Sequence, residues 1–146
     1  MNKIWIWLFD ADARRQWPLD ISLLLVRLVF GLSMAFAHGH RKVPPSEGFI
    51  DKVGEMGFFA PAFFAWAAGL SEFLGGVLIA VGFLVRPSAL FLLITMLVAV
   101  LVAHAGDPFK KIEMGLLYAS VAFALTATGA GRLSIDHWLS SKFSKN

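Results

Sequence analysis

Four apolar stretches dominate this chain, at about residues 19–37, 62–84, 88–105 and 112–129. Each is close to the roughly 20 residues that a helix needs to cross a ~30 Å hydrocarbon core. A backbone inside lipid must satisfy its own hydrogen bonds, so such stretches predict helices. The chain has 146 residues, is 58% hydrophobic and has a mean hydropathy of +0.70, leaving little sequence for anything else. The expectation is one all-α membrane domain over residues 1–146, a four-helix transmembrane bundle.

The connections refine that picture. Residues 1–18 have too short an apolar run and no small-residue cleavage site, so no removable signal peptide is expected. Trp5, Trp7 and Trp17 with Arg14 and Arg15 predict an interfacial N-terminal segment at the headgroups. Pro44 and Pro45 stop the first helix, and Ser46 can cap a short amphipathic one with Phe49, Ile50 and Val53 on its apolar face. This reads as a lid on the membrane. Arg86 and Pro87 leave so short a link between the second and third spans that the two must form an antiparallel hairpin.

With four spans, both termini share a side. That side would carry Lys3, Arg14, Arg15, Arg86, Arg132, Lys142 and Lys145, against Arg41, Lys42, Lys52, Lys110 and Lys111 on the other. Seven basic residues against five favour cytoplasmic termini. The formal charge of +3 is scattered singly or in pairs between apolar blocks, which argues against a nucleic-acid partner. The absence of cysteine excludes disulfides, thiol relays, iron–sulfur ligation by cysteine and covalent c-type haem.

Inside this apolar frame stand two charges. Arg27 lies in the first span; eleven Leu, Ile, Val and Phe residues there, at about −0.3 to −0.6 kcal/mol each, offset the roughly +2.5 to +3.5 kcal/mol of a central arginine. Arg27 shares a helical face with Gly31, Ala35 and His38, and Glu72 shares one with Ala65, Ala68, Gly69, Gly75, Gly76 and Ala80. Such small residues let helices approach closely in lipid. Arg27 and Glu72 are therefore expected to pair inside the bundle, either fixing helix register or lining a ligand or proton pocket.

A second polar group gathers at the opposite end. His38 and His40 leave the first span, His104 leaves the third, and Glu113 enters the fourth. Histidine and carboxylate can relay protons to a quinone headgroup or bind a metal, and a His38–His104 pair can hold a b-type haem. Equally, histidines are common at membrane interfaces and helix ends, and no close-spaced metal-ligand motif is present, so no metal site is assigned. Gly115, Ala119 and Phe123 read as a packing stripe, and Tyr118 either as core or as a hydroxyl reaching the polar centre. Phe58, Phe59, Phe63 and Phe64 read as lipid-facing aromatics near the lid.

Three blocks, RLVFGLSMAFAHGHRK, SEFLGGVLIAVGFLVRP and GAGRLSID, resemble the signatures of DoxX-type membrane proteins, in matching order over about residues 19–138. The positions carrying the resemblance are Arg27, His38, Gly39, Lys42, Glu72, Gly75, Gly76, Gly129, Gly131, Arg132, Ser134 and Asp136. His40 departs from the pattern, standing where an uncharged residue is expected. Gly129, Gly131 and Asp136 also fit a simpler role as helix stop and cap of a tail helix.

The resemblance implies a multi-pass protein of a bacterial-type inner membrane, with relatives linked to thiosulfate oxidation with quinone as acceptor and to membrane oxidoreductase complexes. One expectation is a quinone-associated subunit with redox partner subunits. In it Arg27 holds a carbonyl oxygen of the headgroup, Glu72 orients Arg27, and His38, His104 and Glu113 handle protons. The alternative is a non-catalytic assembly or scaffold protein. A small transporter, which would need a homo-oligomer, ranks below both. Whether the chain is itself an enzyme stays open at this point.

Overall fold

The computed structural model describes residues 17–143, so the expected headgroup segment at Trp5, Trp7, Arg14 and Arg15 lies outside the described residues. All regular structure among the described residues is helical. Helix α1, Trp17–Leu32, runs on without a break through a π turn at Ser33–His38 and a 3₁₀ turn at Gly39–Lys42. A short α2, Glu47–Glu55, follows, and then α3 at Pro61–Val81. Helix α4, Val85–Val98, ends in a second π turn at Ala99–Ala103. Helix α5 spans Phe109–Thr128 and the tail helix α6 spans Ile135–Phe143.

Among the described residues, three continuous segments are long and apolar enough to cross a membrane, Trp17–Lys42, Pro61–Val81 and Val85–Ala103. Helix α5 matches them with 20 residues but opens with Lys110, Lys111 and Glu113, which lower its apolar content. Large apolar side chains face outward on every long helix, among them Val29, Phe63, Phe91, Leu101 and Phe123. A soluble protein would not tolerate so much contiguous apolar surface, whereas lipid requires it. The chain is an integral membrane protein.

The first span is longer than expected, ending at Lys42 rather than near residue 37. The Gly-His-Arg-Lys sequence reads as a loop, but its 3₁₀ turn is held against α3 where glycines permit it. A Cβ on Gly39 would strike the backbone of Glu72 and Phe73, and one on Gly69 would strike the Lys42 carbonyl. The second span stops at Val81, because Gly82 adopts a left-handed φ of 78° and donates to the carbonyls of Leu78 and Ile79. This is a glycine C-cap, which a residue with a side chain would strain.

Helix α3 is the centre of the arrangement, packing on α1, on α2 and on α4, while α5 packs most extensively on α4. The expected small-residue faces meet: Gly31 lies against the Gly76 carbonyl and Ala80, and Gly76 against Ala35. Replacing Gly31 with alanine, which places a methyl against backbone that cannot rotate away, is expected to lower stability by about 1–3 kcal/mol. Thermal unfolding in detergent, followed by tryptophan fluorescence, measures it. The interior is filled by Phe30, Met34, Ile79, Val85, Leu92, Met96 and Leu125.

The short helix expected after Pro45 forms. Ser46 caps α2, its Oγ accepting from the Phe49 amide at 3.3 Å, and Val53 is buried. Beside it Phe64 gathers the rings of Phe58, Phe59 and Phe63 at centroid distances of 4.7, 5.4 and 5.3 Å. At the opposite end, called here the tail end, Trp17 and Trp138 are exposed and lie against Arg132 and Lys142. Such aromatic and basic pairs suit a headgroup boundary.

Candidate functional site

Arg27 and Glu72 do not pair. Fifteen residues of one continuous helix separate Arg27 from Lys42, about 22 Å. Glu72 belongs at the Lys42 end, so two separate polar centres exist. The expectation failed because it matched the two buried charges with each other, whereas each finds a nearer partner on a segment that reads as a loop.

The tail-end centre is a fastening. The Arg27 side chain is fully buried and its Nη2 donates to the Leu133 carbonyl. Its guanidinium also lies against Gly82, where any Cβ would collide with it. Asp136 completes the contact: Oδ1 accepts from the Leu84 amide at 2.7 Å and Oδ2 from the Val85 amide at 3.0 Å, while its own amide donates to the Gly82 carbonyl at 2.9 Å. Asp136 therefore caps α4 across space, not the tail helix. The cap of α6 is Ser134, whose Oγ accepts from the His137 amide at 3.1 Å. Burial pushes the Asp136 carboxyl above its usual range, opposed by the two amides and by the Arg27 charge. Asp20, also buried, accepts from the Arg132 amide at 2.9 Å. These contacts hold the 129–136 segment over the ends of α1 and the α3–α4 hairpin, and enclose Arg27, whose Nε and Nη1 are buried without a partner among the described residues.

The lid-end centre is different in kind. Lys42 Nζ donates to Glu72 Oε1 at 2.7 Å. The Glu72 side chain is 2% exposed and that of Lys42 34%. The second carboxylate oxygen of Glu72, Oε2, is buried with no donor among the described residues. Both residues line a cavity of about 200 Å³ together with His38, Tyr118, His104 and Lys111, and with the thioethers of Met34, Met96 and Met114. The His38 ring stands edge-on to Tyr118 at 5.3 Å, and Phe30 packs on the same ring at 5.6 Å. At the mouth, His104 Nδ1 and Lys111 Nζ both bind Asp107, at 2.9 and 3.1 Å. Those two bonds hold the exposed Asp107 carboxyl below the usual carboxylate range, the His104 bond most. The bridge therefore persists through that range and is lost only as pH falls through the lowered value beneath it.

Of the residues anticipated from sequence, His38, Glu72, His104 and Tyr118 line one cavity. Arg27 does not, because it is enclosed at the other end. His40 and Glu113 face outward and do not line the cavity. Lys42 and Lys111 were missed as site residues. Lys42 follows His38 by four positions, the same-face spacing, but that signal only counts if the helix continues through Gly39. Both π turns, at Ser33–His38 and Ala99–Ala103, border this cavity, and such turns often mark functional sites.

A model of the DoxX family matches residues 22–105. The chain belongs to the DoxX family. The matched segment carries Arg27, His38, Lys42, Glu72 and His104, so the DoxX match includes one wall of the cavity and the arginine of the tail-end fastening. Tyr118, Lys111 and the Gly129–Asp136 closure lie beyond it. Neither curated proteins nor solved structures gave a match to this DoxX chain.

Proposed function

We propose that this DoxX protein is a quinone-binding subunit or accessory of an oxidoreductase system, crossing a bacterial-type inner membrane four times with cytoplasmic termini. The observation that carries the reading is Glu72 Oε2, a buried carboxylate oxygen without a donor, in a cavity that also holds an ammonium and aromatic rings. An orphaned acceptor buried in lipid costs several kcal/mol unless something donates to it, and such groups are functional candidates by default.

The residues fit a quinone headgroup. Lys42 supplies a donor for a carbonyl oxygen, and Glu72 Oε2 an acceptor for a hydroxyl of the reduced form. The His38 and Tyr118 rings with the methionine sulfurs offer a soft wall for a flat ring. A quinone, when bound, supplies two-electron, two-proton chemistry to its partners. Protons released at Glu72 have Lys42 and the His104–Asp107–Lys111 bridge between them and water. With one chain offering no electron carrier of its own in cysteine, electrons come from a partner subunit.

The test is equilibrium binding of a quinone to the protein in nanodiscs. Wild-type protein is expected to bind, and Glu72→Gln, which keeps the shape but loses the charge that Lys42 faces, to bind about tenfold or more weakly. Equal binding by both proteins, or none by the wild type, refutes the reading.

A further inference from the structure

A second concavity lies on the outer surface between α1 and α5, a lateral groove of about 480 Å³. Its floor and sides include Leu25, Val26, Val29, Leu117 and Val121, with the Ser33 and Tyr118 hydroxyls as side-chain polar groups in the lining. Phe30 and Tyr118, ring against ring, separate the two helices here. The groove and the polar cavity share Met114 and Tyr118 in their walls. From that junction the groove runs toward the tail end, over the eight-residue step from Ser33 back to Leu25, about 12 Å along α1.

We infer that this groove receives the prenyl chain of the molecule whose head occupies the lid-end cavity. The inference rests on the quinone reading above and goes further by assigning a tail site and a preference for long-tailed quinones. The geometry matches an amphiphile in its membrane orientation: a polar head belongs near the lid-end boundary and an apolar chain belongs deeper in hydrocarbon. The two spaces adjoin at Met114 and Tyr118, which places a head in one within reach of a tail in the other.

The experiment compares two quinones at matched mole fraction in nanodiscs, one with a single prenyl unit and one with a long polyprenyl tail. Wild type, Val29→Trp and Leu117→Trp are tested, both substitutions filling the groove from positions that already face lipid. Wild type is expected to bind the long-tailed quinone more tightly, and each tryptophan to weaken that binding about tenfold while leaving the short-tailed quinone unchanged. Equal affinity of wild type for both quinones, or tryptophan variants that bind the long-tailed one as wild type does, overturns the groove assignment while leaving the headgroup reading intact. Failure of wild type to bind the short-tailed quinone overturns the headgroup reading itself.

Discussion

Arg27→Leu is expected to lower stability by about 1–3 kcal/mol, the cost of leaving a buried polar group unsatisfied. The substitution leaves the Leu133 carbonyl without its donor and Asp136 buried without the cation beside it. The loss has a pH signature. Burial already raises the Asp136 carboxyl, and removing Arg27 withdraws one of the influences that lower it. A carboxyl raised on folding binds protons more tightly in the native state, so its contribution falls as pH rises through the unfolded and then the folded value. The deficit of Arg27→Leu should therefore narrow at acid pH, where Asp136 is protonated and needs no cation. Melting temperatures of the two proteins across a pH series measure it, and a gap that widens toward acid would contradict the assignment. Quinone binding per folded molecule should be untouched, since Arg27 is sealed from the cavity.

The lid-end pair predicts the opposite combination. Lys42→Met leaves the Glu72 carboxylate buried without a countercharge and is expected to cost toward the lower end of about 3–5 kcal/mol, because Lys42 keeps a third of its side chain exposed. Adding Glu72→Leu should restore most of that stability, since apolar packing often replaces a buried ion pair without loss. The double variant should be folded and unable to hold a quinone. Unfolding midpoints and binding measured on the same preparations separate the two effects. A double variant that is stable and fully functional would favour a scaffold with a merely structural polar centre.

Much of the architecture is legible in the sequence because lipid permits few alternatives. The apolar runs, the Pro44–Pro45 stop, the Ser46 cap and the small faces at Gly31 and Gly76 all act locally or across one helix interface, and periodicity finds them. The partners of the buried charges are not legible in the same way. Arg27 meets a backbone carbonyl over a hundred residues away, and a carbonyl has no sequence signature. Asp136 precedes an apolar turn as a helix cap should, but the amides that it satisfies belong to another helix. Lys42 looks like a flanking charge after a glycine until the close contact of Gly39 and Gly69 with neighbouring backbone carries the helix onward. His40 and Glu113 illustrate the converse: similar depth along the chain says nothing about azimuth, and both look away from the cavity.

The π turns in α1 and α4 bear on how this protein can be compared with its kin. A π turn admits one residue more than the surrounding ladder, so side chains before and after it are out of phase by about 100° relative to an unbroken helix. His38 closes the π turn of α1 and Lys42 follows it, and both line the cavity. In a relative whose helix lacks it, the residues aligned with these two would point elsewhere, and the counterpart of the Lys42–Glu72 bond would fall to a neighbouring position. Equivalence at the mouth must be traced through backbone phase, separately on each side of the widened turn, before any difference between kin is taken as a change of ligand.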